Sequence, residues 1–536
     1  LATQLTQIEG DPPYVRFLVS RTQKEVVCIE QDQRLYPMHS LVDPEREGSR
    51  FLETYPPKGF FIFLGLGCGY HILPFLEYKE VTTLLIIDTG IELFRAILCR
   101  IDLRKLLLDP RVSILIDPSS EALLDFLLSH YFPSISGDIK TVPLRSRVDL
   151  SSGFFESCIA TFQKGMETWS HDFTVQSQFG KKWFVNSLAN LPMAEKATHL
   201  LTPNRKVLIT AAGPSLEDSL EKIRKGKKES LFIATDTSLP VLLENDLIPD
   251  AVISIDCQHI SYHHFLKGFP KGVSLVLDLA SPPFLSRLTD MVVFFASPHP
   301  FCRYISTFWR QFPSLDTSGG NVTHAAVSLA FFLGAEQIHL YGADFSFPRG
   351  KSYARGSYLY PYFVSRSDRY QPLESSFCHF LFNNQKLEKR KGAGGIRYIP
   401  LRMEHYRLQL EALIEKSAAT IVPVLGAGEP IRVPSPSQRI ERNLPMRIFS
   451  AGPYTCSWKE FLQSYLKNLQ NLPLPFDPVL SYLDSLSLEQ RNLWTTLLPI
   501  SAVIRKEYGK EEIAPSSLLW ESKVWALEKI ERHLRE

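Results

Sequence analysis

Short apolar runs separated by amphipathic stretches recur in two blocks of the chain. In the first block, strand-like Tyr14–Val19 and Glu25–Ile29 precede Gly59–Leu64, a run that ends in Gly65-Leu66-Gly67-Cys68-Gly69-Tyr70. A second run, Leu84–Ile87, ends in Asp88, and a helical pattern over Ile91–Asp102 leads to strand-like Val112–Ile116. Strands that alternate with helices in this way predict a parallel sheet. Residues 151–200 turn to helical spacing, with Phe155, Phe162, Trp169 and Phe173 as an expected packing face, and close on Trp183-Phe184-Val185-Asn186-Ser187-Leu188-Ala189-Asn190. The second block places strands at Lys206–Ala212, Leu231–Thr235, Ala251–Ile255, Val273–Leu277, Met291–Phe295 and Gln337–Tyr341, with helices at Pro240–Leu247 and Val322–Leu333. Beyond residue 400 the pattern is helical apart from Thr420–Leu425, and the proline-rich stretch 423–445 sets off a C-terminal helical portion. The fold class is α/β, with an N-terminal domain over 1–150, a helical bridge over 151–200, a central parallel-sheet domain over 201–430 and a helical region over 431–536.

Composition narrows the function classes. Lys and Arg number 59 against 57 acidic residues, so no global charge favours nucleic acid or a membrane surface as partner. No apolar run nears the ~20 residues of a membrane-spanning helix, and no basic segment followed by an apolar stretch marks a secretory signal. The eight cysteines, at 28, 68, 99, 158, 257, 302, 378 and 456, form no close pair of the kind that binds zinc or cycles as a dithiol. Dispersed thiols in a chain of 536 residues point to a reducing compartment, the cytoplasm.

The polar residues that carry chemistry cluster in the second block. Its first strand ends in Ala211-Ala212-Gly213-Pro214-Ser215-Leu216, where Gly213 permits a tight turn and Ser215, with Asp218 three residues on, fits a capping box. Free N–H groups at such a helix start favour an anion. Asp236, Asp256 and Asp344 each fall at the end of a predicted strand, and in an open parallel sheet those ends share the ligand-binding edge. Ser318-Gly319-Gly320-Asn321 precedes an apolar helix and offers a second set of backbone donors.

Three of these stretches, "AAGPSL", "ISID" and "TSGGNVTHAAVSLAFFLGAEQIHLYGADFSF", resemble successive motifs of the motility accessory factor family. These are bacterial glycosyltransferases, related in fold to sialyltransferases, that move nonulosonic acids onto flagellin. "GLGCGYH" with the later "LLIID" resembles the family's N-terminal Rossmann-like domain, and "WFVNSLANLP" its helical bridge, so the resemblance covers about residues 50 to 430. It implies a sialyltransferase-like central domain in which Gly213, Pro214, Ser215, Ser318, Gly319 and Gly320 border the nucleotide of a CMP-activated sugar, and the strand-end and loop pattern adds Asp236 and Asn321 to the expected nucleotide-binding edge. It also implies that Asp344 faces the donor sugar or helps shape its pocket, and that Tyr353, in "GKSYA", hydrogen-bonds the departing phosphate. The expected partners are flagellin, as Ser or Thr acceptor, and the CMP-sugar, with no cofactor; the C-terminal helices are the expected contact for the acceptor or a second subunit of a homo-oligomer. The same superfamily includes a 6-hydroxymethylpterin diphosphokinase, which transfers diphosphate from ATP with Mg²⁺, as an alternative activity.

The chain also departs from the family pattern. Ala212 stands where sialyltransferases carry Asn, and Gly392-Ala393-Gly394-Gly395-Ile396-Arg397 holds no histidine where they carry a base. His379 and His405 lie at shifted positions, and Asp256 competes as a base. These losses also fit a catalytically degenerate flagellar binding or assembly factor. Gly65, Gly67, Gly69 and the later Asp88 suit a nucleotide- or S-adenosylmethionine-binding turn, but such a motif is weak alone, and a structural or ligand-sensing role is the expectation. The basic run Lys386–Lys391 reads as a solvated loop, with closure over a phosphate as its functional alternative. His263-His264 has no partner at metal-ligand spacing.

Overall fold

The computed structural model describes residues 5, 10–383, 386–392, 394–424, 426–434, 445–509 and 513–536, without the side chains of 167–171. Trp169 of the expected packing face, Ala393 of the glycine-rich run and residues 435–444 of the proline-rich stretch lie outside the described residues. The chain divides into two compact units, one of Leu1–Gly180 with Asn468–Glu528 and one of Lys181–Lys467 with Lys529–Glu536. The helical region expected over 431–536 is therefore not a body of its own. Its described helices bury apolar faces within those two units. Phe461 and Tyr465, on the helix Trp458–Gln470, pack on Tyr304 and Trp309 of the second unit. Arg505, on the helix Leu488–Tyr508, donates to the carbonyls of Ser134 and Ile135 in the first.

In the first unit, β1 (Val15–Val19), β2 (Glu25–Gln31) and β3 (Arg34–Pro37) form an antiparallel sheet. Strands β4 (Gly59–Leu64), β5 (Val81–Asp88), β6 (Val112–Ile116) and β7 (Ile139–Pro143) form a parallel sheet in the order β6-β5-β4-β7. Every residue of β4 is buried, as a strand covered on both faces requires. The glycine turn after β4 is filled by the protein itself. Leu66 N–H donates to Asp88 Oδ2 at 2.7 Å, and Arg147 Nε donates to Asp88 Oδ1 at 2.8 Å, with both side chains buried. Gly65 takes φ +94°, and a Cβ there would lie 2.8 Å from Arg147 Cβ. The carboxylate that would hold a ribose is thus spent on an internal guanidinium, which supports the structural role of this turn.

His71, fully buried beside Phe51, Phe63 and His39, has its pKa pushed well below the ordinary histidine value by burial. The unfolded chain takes up a proton below about pH 6.5, while folded His71 does not. Stability contributed by this residue is therefore present above that pH and lost as pH falls, by at most about 1.4 kcal/mol per pH unit. The urea midpoint of the full chain should drop between pH 7 and pH 5, and the drop should be smaller in H71F; an unchanged slope in H71F would remove His71 as the cause.

The second unit contains β8 (Lys206–Thr210), β9 (Leu231–Thr235), β10 (Ala251–Ser254), β11 (Ser274–Asp278), β12 (Val292–Phe295), β13 (Gln337–Tyr341), β14 (Phe347–Pro348), β15 (Leu387–Gly392), β16 (Gly395–Pro400) and β17 (Thr420–Pro423). Seven of them form a parallel sheet in the order β12-β11-β10-β9-β8-β13-β17. Strands β9, β10, β11 and β12 are buried at every position, and each Ile, Leu, Val or Phe contributes about 1.5–3 kcal/mol by leaving water. Strands β14, β16 and β15 form a separate antiparallel sheet. The basic run expected as a loop is thus strand β15, half-exposed and polar, which carries no apolar signature. The motif at the end of the long helix Ser152–Lys196 grips the sheet's loops: Asn186 Nδ2 donates to the carbonyls of Cys257 and Ala280, and Asn190 Nδ2 to those of Leu279 and Ser281.

Candidate functional site

The order of the seven-stranded sheet reverses between β8 and β13. The loops leaving the carboxyl ends of two such strands diverge to opposite faces and open the crevice where ligands bind in α/β sheets. Here those loops are Ala211–Ser215 and Gly342–Phe345. They are stitched together by Ala211 N–H to Tyr341 O and Gly213 N–H to Gly342 O, both 2.8 Å. A Cβ on Gly213 would lie 2.5 Å from Asp344 Oδ2, so only glycine allows this approach. Phe345 adopts φ +43°, a left-handed conformation uncommon for an aromatic residue and a mark of local strain.

The helix start after β8 differs from the expected capping box. Pro214–Ser219 is a 3-10 turn capped by Gly213, with no side-chain cap, and buried Ser215 Oγ has no partner among the described residues. The cap comes from Asp344, whose Oδ2 accepts the Ser215 N–H at 2.8 Å. Leu216 N–H bonds Gly213 O at 3.0 Å. The N–H groups of Gly213, Ser215 and Leu216 are therefore satisfied within the protein, contrary to the expectation of free donors. Asp344 is buried, its pKa raised by burial, and its carbonyl accepts Ser346 Oγ and Glu429 N–H. It acts as a pillar joining the loops after β8, β13 and β17.

A second group gathers beside this turn. Ala354 N–H donates to Ala212 O at 2.9 Å, and Lys351 Nζ bridges both oxygens of Glu217 at 2.7 Å, which straps the Tyr353 segment across the Gly213 turn. Burial raises the Tyr353 pKa while the Arg402 charge lowers it, so the hydroxyl keeps its proton and is a donor at neutral pH. Arg402 Nε donates to Tyr406 OH, and the Tyr406 ring lies 3.2 Å from the Cβ position of Gly320. Ser318 is held in the same loop by Asp316, which accepts from its N–H at 2.9 Å and its hydroxyl at 2.6 Å. Asn321 caps the helix Val322–Phe332 by accepting His324 N–H at 3.0 Å.

Asp236 and Asp256 lie on the same edge. Asp236 is buried and accepts Thr237 N–H and the Ser254 hydroxyl, each at 2.6 Å. Asp256 accepts Gln258 N–H at 2.9 Å; burial raises its pKa, and the Asp236 charge adds to the rise. Electrostatic coupling links Asp236 with Tyr353 and both carboxylates with Tyr358. The structure thus groups Tyr353, Asp236 and Asp256, and it groups Gly213, Pro214 and Ser215 with Asp344. Gly320 meets the first group through Tyr406 and Arg402.

Sequence reasoning missed Tyr358 and Arg402, and it weighed His264 only as a metal ligand. No ion pair forms on Arg402 among the described residues, whereas Arg390 of the basic run is matched by Glu388, Glu404 and Glu429. A lone arginine in a helix has no sequence signature; only the fold brings it to Tyr353. His379 is a helix residue whose Nε2 lies 2.7 Å from Asn383 Nδ2.

Comparison with known proteins places this architecture. The chain matches a solved structure of a MAf glycosyltransferase from Magnetospirillum magneticum AMB-1 with TM-score 0.58 and 17% identity, over 99% of this chain and 92% of that one, which establishes a shared fold. Residues 184–350 match the family model for 6-hydroxymethylpterin diphosphokinase MptE-like domains. An uncharacterized protein of Treponema pallidum (strain Nichols) is 34% identical over 154 residues, and the chain spans about half of its length (54%). A second uncharacterized protein of that organism is 33% identical over 167 residues, 30% of this chain and 79% of the relative. The chain belongs to the family of this second spirochaetal protein.

Proposed function

We propose that the chain is a glycosyltransferase that moves a nonulosonic acid from a CMP-activated donor to Ser or Thr of flagellin. The supporting observation is the convergence of Tyr353, Arg402, Tyr406 and Gly320 on the edge that carries Asp236 and Asp256. As the sugar–phosphate bond breaks, charge grows on the phosphate, and donors already in place lower the barrier. Tyr353 supplies a protonated hydroxyl and Arg402 a cation that no carboxylate among the described residues neutralises. Gly213, Pro214 and Ser215 shape the floor of the nucleotide site by close backbone approach rather than by free N–H groups, and Ser318–Asn321 border it from the other loop. Asp344 holds the floor together.

The family model favours a second activity, diphosphate transfer from ATP with Mg²⁺. Mg²⁺ is held by one or two carboxylates together with substrate phosphates. Here Asp236, Asp256 and Asp344 each accept hydrogen bonds from the protein's own donors. Eight free thiols agree with a cytoplasmic enzyme, and among the described residues no helix is long and apolar enough to cross a membrane. Titration calorimetry separates the two activities: saturable binding of CMP without ATP binding is expected, and tight ATP binding that requires Mg²⁺ would favour the diphosphokinase.

A further inference from the structure

The sequence leaves the transfer reaction without a base, and the fold supplies a buried histidine at the same edge. His264 lies in the 3-10 turn His259–Phe265 that follows β10 and is 6% exposed. Its Nδ1 is sealed from solvent and has no hydrogen-bond partner among the described residues, although buried polar atoms in native proteins almost always have one. A ligand hydroxyl that reaches this edge would supply one. The surroundings are those of the candidate site. The Tyr358 ring stands edge-on to the imidazole, with centroids 4.6 Å apart, and Tyr358 lies 6.2 Å from Tyr353.

We infer that His264 accepts the proton from the acceptor hydroxyl during sugar transfer, a role that rests on the glycosyltransferase function proposed above. The acceptor oxygen forms a bond to the anomeric carbon, and the bond from that carbon to the phosphate oxygen breaks. Its electron pair leaves with CMP, toward Tyr353 and Arg402. The hydroxyl proton passes to His264 and then to solvent.

The charged and titratable groups that face His264 set it up for this exchange. Burial, and to a smaller degree His263, lower its pKa, while Asp236 and Asp256 raise it. Tyr358, with its own pKa raised by burial, stays neutral beside it. The net shift is downward, so the imidazole is neutral at pH 7 and its lone pair is available. When the proton arrives, the two carboxylates stabilise the imidazolium. Asp256 thereby changes from competing base to a positioning residue for the histidine.

The test uses the full chain, flagellin and a panel of CMP-activated nonulosonic acids, with transfer read as added mass on flagellin and CMP affinity read by calorimetry. H264N should bind CMP within about twofold of wild type and transfer sugar about 100-fold more slowly, a typical loss for a general base. The wild-type rate should rise with pH along an acid limb centred below pH 6.5, and that limb should vanish in H264N. Transfer by H264N within about threefold of wild type, with the acid limb kept, would overturn the inference and leave the glycosyltransferase function standing. If wild type fails to transfer any donor, both fall. Should H264N also lose CMP binding, H264A with added imidazole decides: restored transfer supports the role, and no restoration overturns it.

Discussion

Arg147→Met is expected to destabilise the first unit by about 3–5 kcal/mol, the loss typical of a buried ion pair stripped of one partner. Asp88 and Arg147 are 4% and 5% exposed at their side chains, so the stranded carboxylate has no water to replace the guanidinium. Arg147 also donates to Thr89 O at 2.7 Å and to Ser151 Oγ at 2.8 Å, and its stem lines the Gly65 turn. The substitution therefore removes a charge and two further hydrogen bonds, while methionine keeps the Cβ and Cγ that pack under the glycine turn. The D88N/R147M double variant should recover part of the loss, because the buried charge is then absent. Urea denaturation of the three proteins measures this; equal stability of wild type and R147M would show that the turn is held by other means.

Tyr353→Phe is expected to slow sugar transfer by about 100-fold, as loss of one preorganised donor to a developing oxyanion does. The substitution keeps the ring and its packing with Tyr358 and Phe380, at 6.2 Å and 6.5 Å, so the site's shape is preserved. Only the hydroxyl goes. Single-turnover rates with saturating donor isolate the chemical step, and CMP affinity should stay within about threefold. A transfer rate unchanged in Y353F would remove the hydroxyl from the account of leaving-group stabilisation.

The parts of the fold legible from sequence are those in which local pattern and tertiary burial agree. Strands such as β4 and β9–β12 are buried on both faces and read as unbroken apolar runs. Acidic residues at strand ends were legible for the same reason, because a parallel sheet collects its carboxyl ends on one edge. Strands β7 and β15 were not, since half-exposed edge and hairpin strands carry Lys, Thr and Glu where a core strand carries Ile and Val. The Ser215 cap went astray because its true partner, Asp344, is 129 residues away, and local side-chain spacing carries no trace of it. The roles of His264 and Arg402 escaped similarly. A histidine becomes a base, and an arginine a phosphate clamp, through the groups that the fold sets against them. For His264 these are Tyr358, Asp236 and Asp256.

The edge between β8 and β13 of the second unit is proposed to hold the nucleotide of a CMP-sugar. A CMP titration of the full chain and of its R402A variant, with ATP and Mg²⁺ as the comparison, tests this. Binding of one CMP per chain, weakened at least tenfold in R402A and not matched by ATP, is the predicted result. A chain that takes no CMP, or that takes it equally well without Arg402, would contradict the placement of the phosphate at this edge.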